Sequence, residues 1–465
     1  MNIESLKSKL AQFSQEHVLQ FWDELSESER QNLKAQIEDI DLQTLATLVA
    51  GADEKIDFDS LAQNAVTPPS VRADGSGAEW TVDQARERGE AALRAGQVGA
   101  ILVAGGQGTR LGFDLPKGMF PLGPISNRTL FQIFADRLLA IGNMYGVAIP
   151  FYIMTSDATD AETRAYFQDN DYLGLAPENV RIFRQGTMPA VDASSGKLLM
   201  TSKSSLALSP DGHGGTVGAL ARSGCLEDAK KRGIQCLSYF QVDNPLVNVG
   251  DPTLIGHHLL AQSEMTTQVI RKRYALEKVG IIALANGVVQ VIEYSDLPQS
   301  AAEATDADGQ FKLWAGSIGV HVIDVEFLCR VSQDAGSLPF HRALKKVPYL
   351  NSQQTLVEPS EPNAVKFEKF IFDLLPSANN AFVVEVLPSE GFAPVKNADG
   401  AENDTPALAK AAMVAQHRRW LEAAGAQVAE GVKVEIHPRY SLFPEQIAEK
   451  IPANYQIEAD RYFDA

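Results

Sequence analysis

Cysteine is scarce. Three residues, Cys225, Cys236 and Cys329, are spread through a chain of 465 with no Cys-x-x-Cys pair, which argues against a disulfide framework and a cysteine zinc site and leaves all three as expected packing residues. The eight histidines form no His-Glu-x-x-His pattern, and His257 and His258 are adjacent, so on a helix they point apart. Long apolar runs are also lacking: no stretch approaches the ~18 residues of a membrane span, and the first residues, Met1-Asn2-Ile3-Glu4-Ser5-Leu6-Lys7, have no apolar core of a secretory leader. Basic residues are in deficit, 41 against 59 acidic ones, for a formal charge of −18, and such a balance repels polyanions unless cations are gathered locally. A cytoplasmic chain that binds neither nucleic acid nor membrane is expected; its oligomeric state is not written in these features.

What is present is a globular composition, 45% hydrophobic and 22% charged, on a chain long enough for more than one core. Over residues 6–61 apolar side chains recur at helical spacing (Leu6, Leu10, Phe13; Val18, Trp22, Leu25; Leu33, Ile37, Ile40), which predicts amphipathic helices. A turn-rich stretch around Val66-Thr67-Pro68-Pro69-Ser70 and Asp74-Gly75-Ser76-Gly77 follows. Helices are predicted over 81–95, 130–144, 161–167 and 407–423. Strands are predicted over 98–104, 151–154, 180–183 and 236–242, then, in a strand-rich mixed part, over 267–270, 280–284, 288–292 and 318–323. Alternation of this kind argues for an α/β doubly wound sheet. Along the chain we expect a helical segment over 1–95, a catalytic domain over 96–390 and a small C-terminal lobe over 391–465.

The densest chemical signal is Leu102-Val103-Ala104-Gly105-Gly106-Gln107-Gly108-Thr109-Arg110-Leu111-Gly112, followed by Pro116-Lys117-Gly118. Glycines let backbone N–H groups approach a phosphate closely, and Arg110 and Lys117 can neutralise its charge, so a polyphosphate site is expected. A dinucleotide fingerprint is excluded by residue count, because from Gly106 the third glycine position is Leu111. A Walker A loop is excluded because Lys117 lies between Pro116 and Gly118. Further on, Asp243 follows the apolar run Cys236 to Phe240, where a carboxylate at the carboxyl edge of a sheet can hold Mg²⁺ or cap the next turn.

The Gly-Gly-x-Gly-Thr-Arg-Leu loop with its downstream Pro-Lys pair resembles the nucleotidyltransferases that join a nucleoside triphosphate to a sugar 1-phosphate. Val242-Asp243-Asn244, Ile153-Met154-Thr155-Ser156, Gln185-Gly186 before Met188-Pro189-Ala190, Glu293-Tyr294-Ser295, the run Val365 to Asp373 and Pro394-Val395-Lys396-Asn397-Ala398 narrow the likeness to the eukaryotic-type UDP-sugar pyrophosphorylases, nearest to those for UDP-N-acetylglucosamine. The resemblance implies a GT-A-like central domain and a uridylyltransferase using UTP, a sugar 1-phosphate and Mg²⁺. It implies that Gly105, Gly106, Gly108, Thr109, Arg110 and Lys117 hold the triphosphate, Asp243 the metal, and Lys396 the sugar phosphate or α-phosphate. Gln185 would hydrogen-bond the uracil edge, with Gly212, His213, Gly214 and Gly215 lining the nucleotide site, while Gly280, Glu293, Ser317 and Lys366 would serve the sugar side. Lys366 is also readable as one of a pair, with Lys369, on a solvated helix face. The chain departs from the N-acetylglucosamine pattern twice: Trp314-Ala315-Gly316-Ser317-Ile318 lacks two asparagines, and His213 gives a Gly-His-Gly more like the UDP-glucose enzymes. Glucose 1-phosphate is the alternative substrate, and a non-catalytic sugar-nucleotide-binding protein the alternative class.

Overall fold

A computed structural model of the chain describes residues 2–51, 57–334, 338–452 and 454–464. The chain divides into two compact units, each assembled from separated stretches. The first comprises Met1–Ile56, Gln185–Thr216 and Leu338–Asp373, and the second Asp57–Arg184, Val217–Ser337 and Leu374–Ala465. No unit boundary falls at 95/96 or at 390/391, because burial ties both flanks of each point to one core. The helix Val82–Arg94 crosses the helix Pro252–Leu260, and Val395, Ala409, Met413, Leu442 and Phe443 enter the main apolar cluster. The tail keeps a smaller cluster of its own around Leu421, Val434, Ile436, Ile447 and Phe463.

Among the described residues, the second unit holds ten strands in one sheet. We number these β1 (Ser70–Val71), β2 (Val98–Val103), β3 (Phe151–Thr155), β4 (Val180–Arg184), β5 (Cys236–Gln241), β6 (Met265–Arg271), β7 (Ile281–Ala285), β8 (Val288–Ile292), β9 (Ala315–Asp324) and β10 (Ala381–Glu385). Their order is β1-β10-β6-β9-β5-β2-β3-β4, with the hairpin β7-β8 attached to β9 through Ile281 and Gly316. β5, β2, β3 and β4 run parallel, and β9 is antiparallel to both β5 and β6, so the sheet is mixed.

β2, β3 and β5 are short, almost wholly buried apolar runs, whereas the edge strand β4 exposes Arg181 and Arg184. Two crossover helices follow from local signals. Leu130–Tyr145 starts at a Thr129 capping box and stops at Gly146, whose φ of 70° suits glycine. Asp160–Asp169 then links β3 to β4.

The first unit packs the helices Ile3–Ala11, Glu27–Asp39 and Leu42–Ala50 against short strands. Leu6, Leu10, Leu33 and Ile37 meet Val191, Met200 and Phe367 in its core. Its three-stranded antiparallel sheet is His341–Lys345, Ala364–Glu368 and Val191–Asp192. Lys366 therefore lies on a strand, which corrects the helical reading: Val365 and Phe367 are buried on either side of half-buried Lys366, a strand pattern in which β-branched and aromatic residues outweigh the lysine spacing. Cys225 and Cys236 are buried as expected, whereas Cys329 is only half-buried. No helix among the described residues is long and apolar enough to cross a membrane.

Candidate active site

The glycine loop leaves β2 at the carboxyl edge of the parallel strands, the usual ligand crevice of an open α/β sheet. Its course is fixed by hydrogen bonds to its own protein. Ser156, just past β3, donates from Oγ to the Gly105 carbonyl at 2.7 Å. Lys117 N–H donates to the Gly106 carbonyl and Gly108 N–H to the Leu115 carbonyl, each at 3.0 Å. A Cβ on Gly108 would lie 2.7 Å from Phe113, so the turn itself demands glycine there, whereas a Cβ on Gly106 would meet nothing within 4 Å. Gly106 thus faces open space, as a backbone reserved for a ligand would. Thr109 and Arg110 are exposed on the short 3₁₀ turn Thr109–Leu111.

Lys117 is half-buried, and its Nζ donates to the Val395 carbonyl at 3.3 Å. Burial holds its pKa below the ordinary lysine value; Asp243 attracts the charge, while Lys396 and Arg110 repel it. Charges read from separate stretches of sequence therefore all bear on Lys117. Asp243 lies just past β5, and its carbonyl accepts Val395 N–H at 2.8 Å. Next to it, Asn244 donates from Nδ2 to the Gly391 carbonyl at 2.8 Å and accepts Ala393 N–H at 3.1 Å. These bonds hold the segment 391–396 beside Asp243 and so set the place of exposed Lys396. Sequence reasoning assigns Ser156 and Asn244 no role of their own; their one signal is a position just after a strand end.

A second group gathers on the hairpin side of the sheet. A Cβ on Gly280 would lie 2.8 Å from Glu293 Oε1, and Ser317 N–H donates to the Gly280 carbonyl at 2.8 Å. The three residues, far apart in sequence, are neighbours because β7 pairs with both β8 and β9.

The remaining candidates, Gln185, Gly212, His213, Gly214, Gly215 and Lys366, belong to the first unit. There the loop at 211–215 is clamped to the end of the Lys366 strand. Lys369 N–H donates to the Asp211 carbonyl at 2.7 Å, and Gly214 N–H donates to the Lys369 carbonyl at 2.8 Å. A Cβ on Gly212 would stand 2.4 Å from the Lys369 carbonyl oxygen, and one on Gly215 would stand 2.0 Å from Asp211 Oδ1. Packing inside the protein therefore already requires glycine at these positions. His213 stacks on Phe370 with centroids 5.3 Å apart, and its Nδ1 accepts Ile371 N–H at 3.1 Å. Burial lowers its pKa to about 4, so the ring is neutral at pH 7 and carries its proton on Nε2. Gln185 is half-buried between β4 and the strand Thr187–Pro189.

Among the described residues no three His, Cys, Asp or Glu side chains are grouped as a metal cage. Asp243 alone beside the glycine loop is donor chemistry that suits Mg²⁺, which takes one or two carboxylates and completes its shell from substrate phosphates and water.

A family model described as UTP–glucose-1-phosphate uridylyltransferase matches residues 54–441. A UDP-N-acetylglucosamine pyrophosphorylase of Saccharomyces cerevisiae is 36% identical over 458 residues, covering 95% of this chain and 96% of the yeast protein. A UDP-N-acetylhexosamine pyrophosphorylase-like protein of Xenopus tropicalis is 36% identical over 95% of this chain and 89% of its own length. Among solved structures, the UDP-N-acetylglucosamine pyrophosphorylase of Trypanosoma brucei superposes with a TM-score of 0.83 at 26% identity over 98% of each chain. With a family model spanning most of its length and relatives matched nearly end to end, the chain belongs to the UTP–glucose-1-phosphate uridylyltransferase family of UDP-sugar pyrophosphorylases.

Proposed function

We propose that this chain transfers the uridylyl group of UTP to a sugar 1-phosphate, with N-acetylglucosamine 1-phosphate the preferred acceptor, and releases pyrophosphate. One observation carries the proposal: Lys117 is held half-buried at the glycine loop within the field of Arg110, Lys396 and Asp243. A phosphate oxygen of the sugar 1-phosphate attacks the α-phosphorus of UTP in line. The new P–O bond forms as the bond to the β-phosphate oxygen breaks, and pyrophosphate leaves with that electron pair. No side-chain nucleophile is needed, so positioning and charge neutralisation do most of the work.

In this scheme Gly105, Gly106, Gly108 and Thr109 present the loop to the triphosphate, Arg110 and Lys117 neutralise it, and Lys396 holds the sugar phosphate or α-phosphate. Mg²⁺ bound by Asp243 would supply further neutralisation of the triphosphate oxygens. In the first unit, Gln185 offers both a donor and an acceptor, the pattern a uracil edge needs. Glu293 accepts from sugar hydroxyls, with Gly280 and Ser317 beside it. A GT-A-like assignment fits a glycine loop and Asp243 at the ends of the neighbouring parallel strands β2 and β5. Three free thiols suit the reducing cytoplasm.

Glucose 1-phosphate is the second acceptor to consider, because Ser317, not an amide, stands against Gly280. The deciding experiment gives the purified chain UTP, Mg²⁺ and a panel of sugar 1-phosphates and measures pyrophosphate. Sugar-dependent release is expected; no release with any sugar would leave a non-catalytic sugar-nucleotide-binding protein.

A further inference from the structure

β5 is a run of five buried residues closed by half-buried Gln241. On one side Gln241 pairs with Val103, the last residue of β2 before the glycine loop. On the other side of β5 lies β9, the strand that carries Ser317. Gln241 therefore stands between the glycine loop and the group formed by Gly280, Glu293 and Ser317, yet the reaction scheme gives it no part.

β9 is irregular at this point. Against β6, Val320 pairs with Gln268 and Ser317 with Val269, so Ile318 and Gly319 form a bulge, a feature that re-aims side chains beside active sites. Gly319 has a φ of 69°, and a Cβ there would come within 3.0 Å of Gln241 Nε2 and 3.2 Å of its Cδ. The carboxamide thus lies against the bulge, and glycine leaves it room. Opposed residues of paired strands share a face, as do residues two apart on one strand. Gln241 goes with Tyr239, which is opposite His321; His321 and Ser317 are opposite Thr267 and Val269, two apart on β6. Gln241 and Ser317 accordingly share a face on neighbouring strands, which lie ~4.8 Å apart. Among the described residues the Gln241 carboxamide has no hydrogen-bond partner, and neither of its polar atoms is shielded from solvent.

We propose that Gln241 is a specificity-determining residue, its carboxamide hydrogen-bonding the acetamido group of an N-acetylated sugar 1-phosphate. A carboxamide presents a donor and a hydrogen-bond acceptor on separate atoms, which match the carbonyl and N–H of an acetamido group together; the hydroxyl in its place on glucose offers both from a single atom. The amide that Ser317 lacks is thus supplied from the neighbouring strand. This role rests on the uridylyl-transfer reading and gives it a source of N-acetyl preference in a chain with serine at 317.

The test measures kcat/KM of the full chain for N-acetylglucosamine 1-phosphate and for glucose 1-phosphate, and the KM for UTP, in wild type, Gln241→Leu and Gln241→Asn, with thermal melts to check folding. Gln241→Leu keeps the side-chain volume and should lose about tenfold or more on the N-acetyl sugar, while glucose 1-phosphate and the KM for UTP stay within about twofold. Gln241→Asn draws the amide back by one methylene; it should lose less, again on the N-acetyl sugar alone, and carries the test if the leucine variant does not fold. An unchanged N-acetyl efficiency in the folded variants, equal losses for both sugars, or a change confined to the KM for UTP would overturn the role of Gln241 and leave uridylyl transfer standing. A wild-type chain that transfers to neither sugar would overturn that function and this role with it.

Discussion

Lys117 concentrates the chemistry of the site in one side chain. Under the proposed mechanism, replacing it, or Arg110, with alanine removes a donor to phosphate charge, and turnover should fall by roughly 10²- to 10³-fold; steady-state pyrophosphate release measures this. Its depressed pKa also has a direction. The cation is present below that pKa and lost as pH rises through it, so wild-type kcat/KM should decline on the alkaline side at a pH below the ordinary lysine value. Lys117→Arg, which stays charged, should lack that limb even at a lower plateau; a shared alkaline limb would detach it from Lys117. Glu264 makes the opposite case for stability. Arg330, then Asn379, hold its pKa down to about 2. Its contribution is therefore full above the unfolded value and lost as pH falls toward 2. Glu264→Gln should be less stable than wild type at pH 7, with the gap closing in acid, as chemical denaturation across pH would show.

At the scale of elements, the helices Val82–Arg94 and Pro252–Leu260 cross so closely that each depends on a glycine of the other's partner surface. A Cβ on Gly89 would stand 1.8 Å from the Pro252 carbonyl oxygen, and one on Gly256 would stand 1.6 Å from that of Ala85. Since backbone carbonyls cannot rotate aside, Gly89→Ala or Gly256→Ala must move a helix, and overpacking of this kind costs about 1–3 kcal/mol or more. The two changes strain one crossing, so the double variant should lose less than the sum of the singles, read from denaturant midpoints. Periodicity located Val82–Arg94 and most strands of the sheet, because buried parallel strands and amphipathic helices write their burial into the chain, but it did not locate Pro252–Leu260. It could not reveal this crossing, which joins residues far apart in sequence. Nor could it place Lys366, whose lysine spacing suggested a helix while the buried Val365 and Phe367 made a strand.

At the scale of the whole molecule, the candidate residues were legible because each sits in a short local motif, but their grouping was not. Gly280, Glu293 and Ser317 become neighbours only through the pairing of β7, β8 and β9, and the two compact units are discontinuous in sequence, which a reading along the chain cannot see. The same contrast between local and global signals bears on the sugar. Likeness over 95% of the chain to a UDP-N-acetylglucosamine pyrophosphorylase favours the N-acetyl sugar, whereas Ser317 is a local departure from the N-acetylglucosamine pattern and His213 one toward the glucose enzymes. A site that loses one amide partner for a substrate group loses selectivity more than it loses catalysis, because the unpaired acetamido group costs binding energy only for the N-acetyl substrate. The expected outcome is a higher kcat/KM for N-acetylglucosamine 1-phosphate with a narrow margin over glucose 1-phosphate. Ser317→Asn should widen that margin through the N-acetyl sugar alone, since glucose has no acetamido group to pair with the new amide. Competing both sugar phosphates at limiting UTP measures the ratio directly; a glucose preference beyond about tenfold, more than a marginal contact supplies, would give the acceptor site to glucose 1-phosphate and leave the phosphate chemistry of Arg110, Lys117 and Asp243 unchanged.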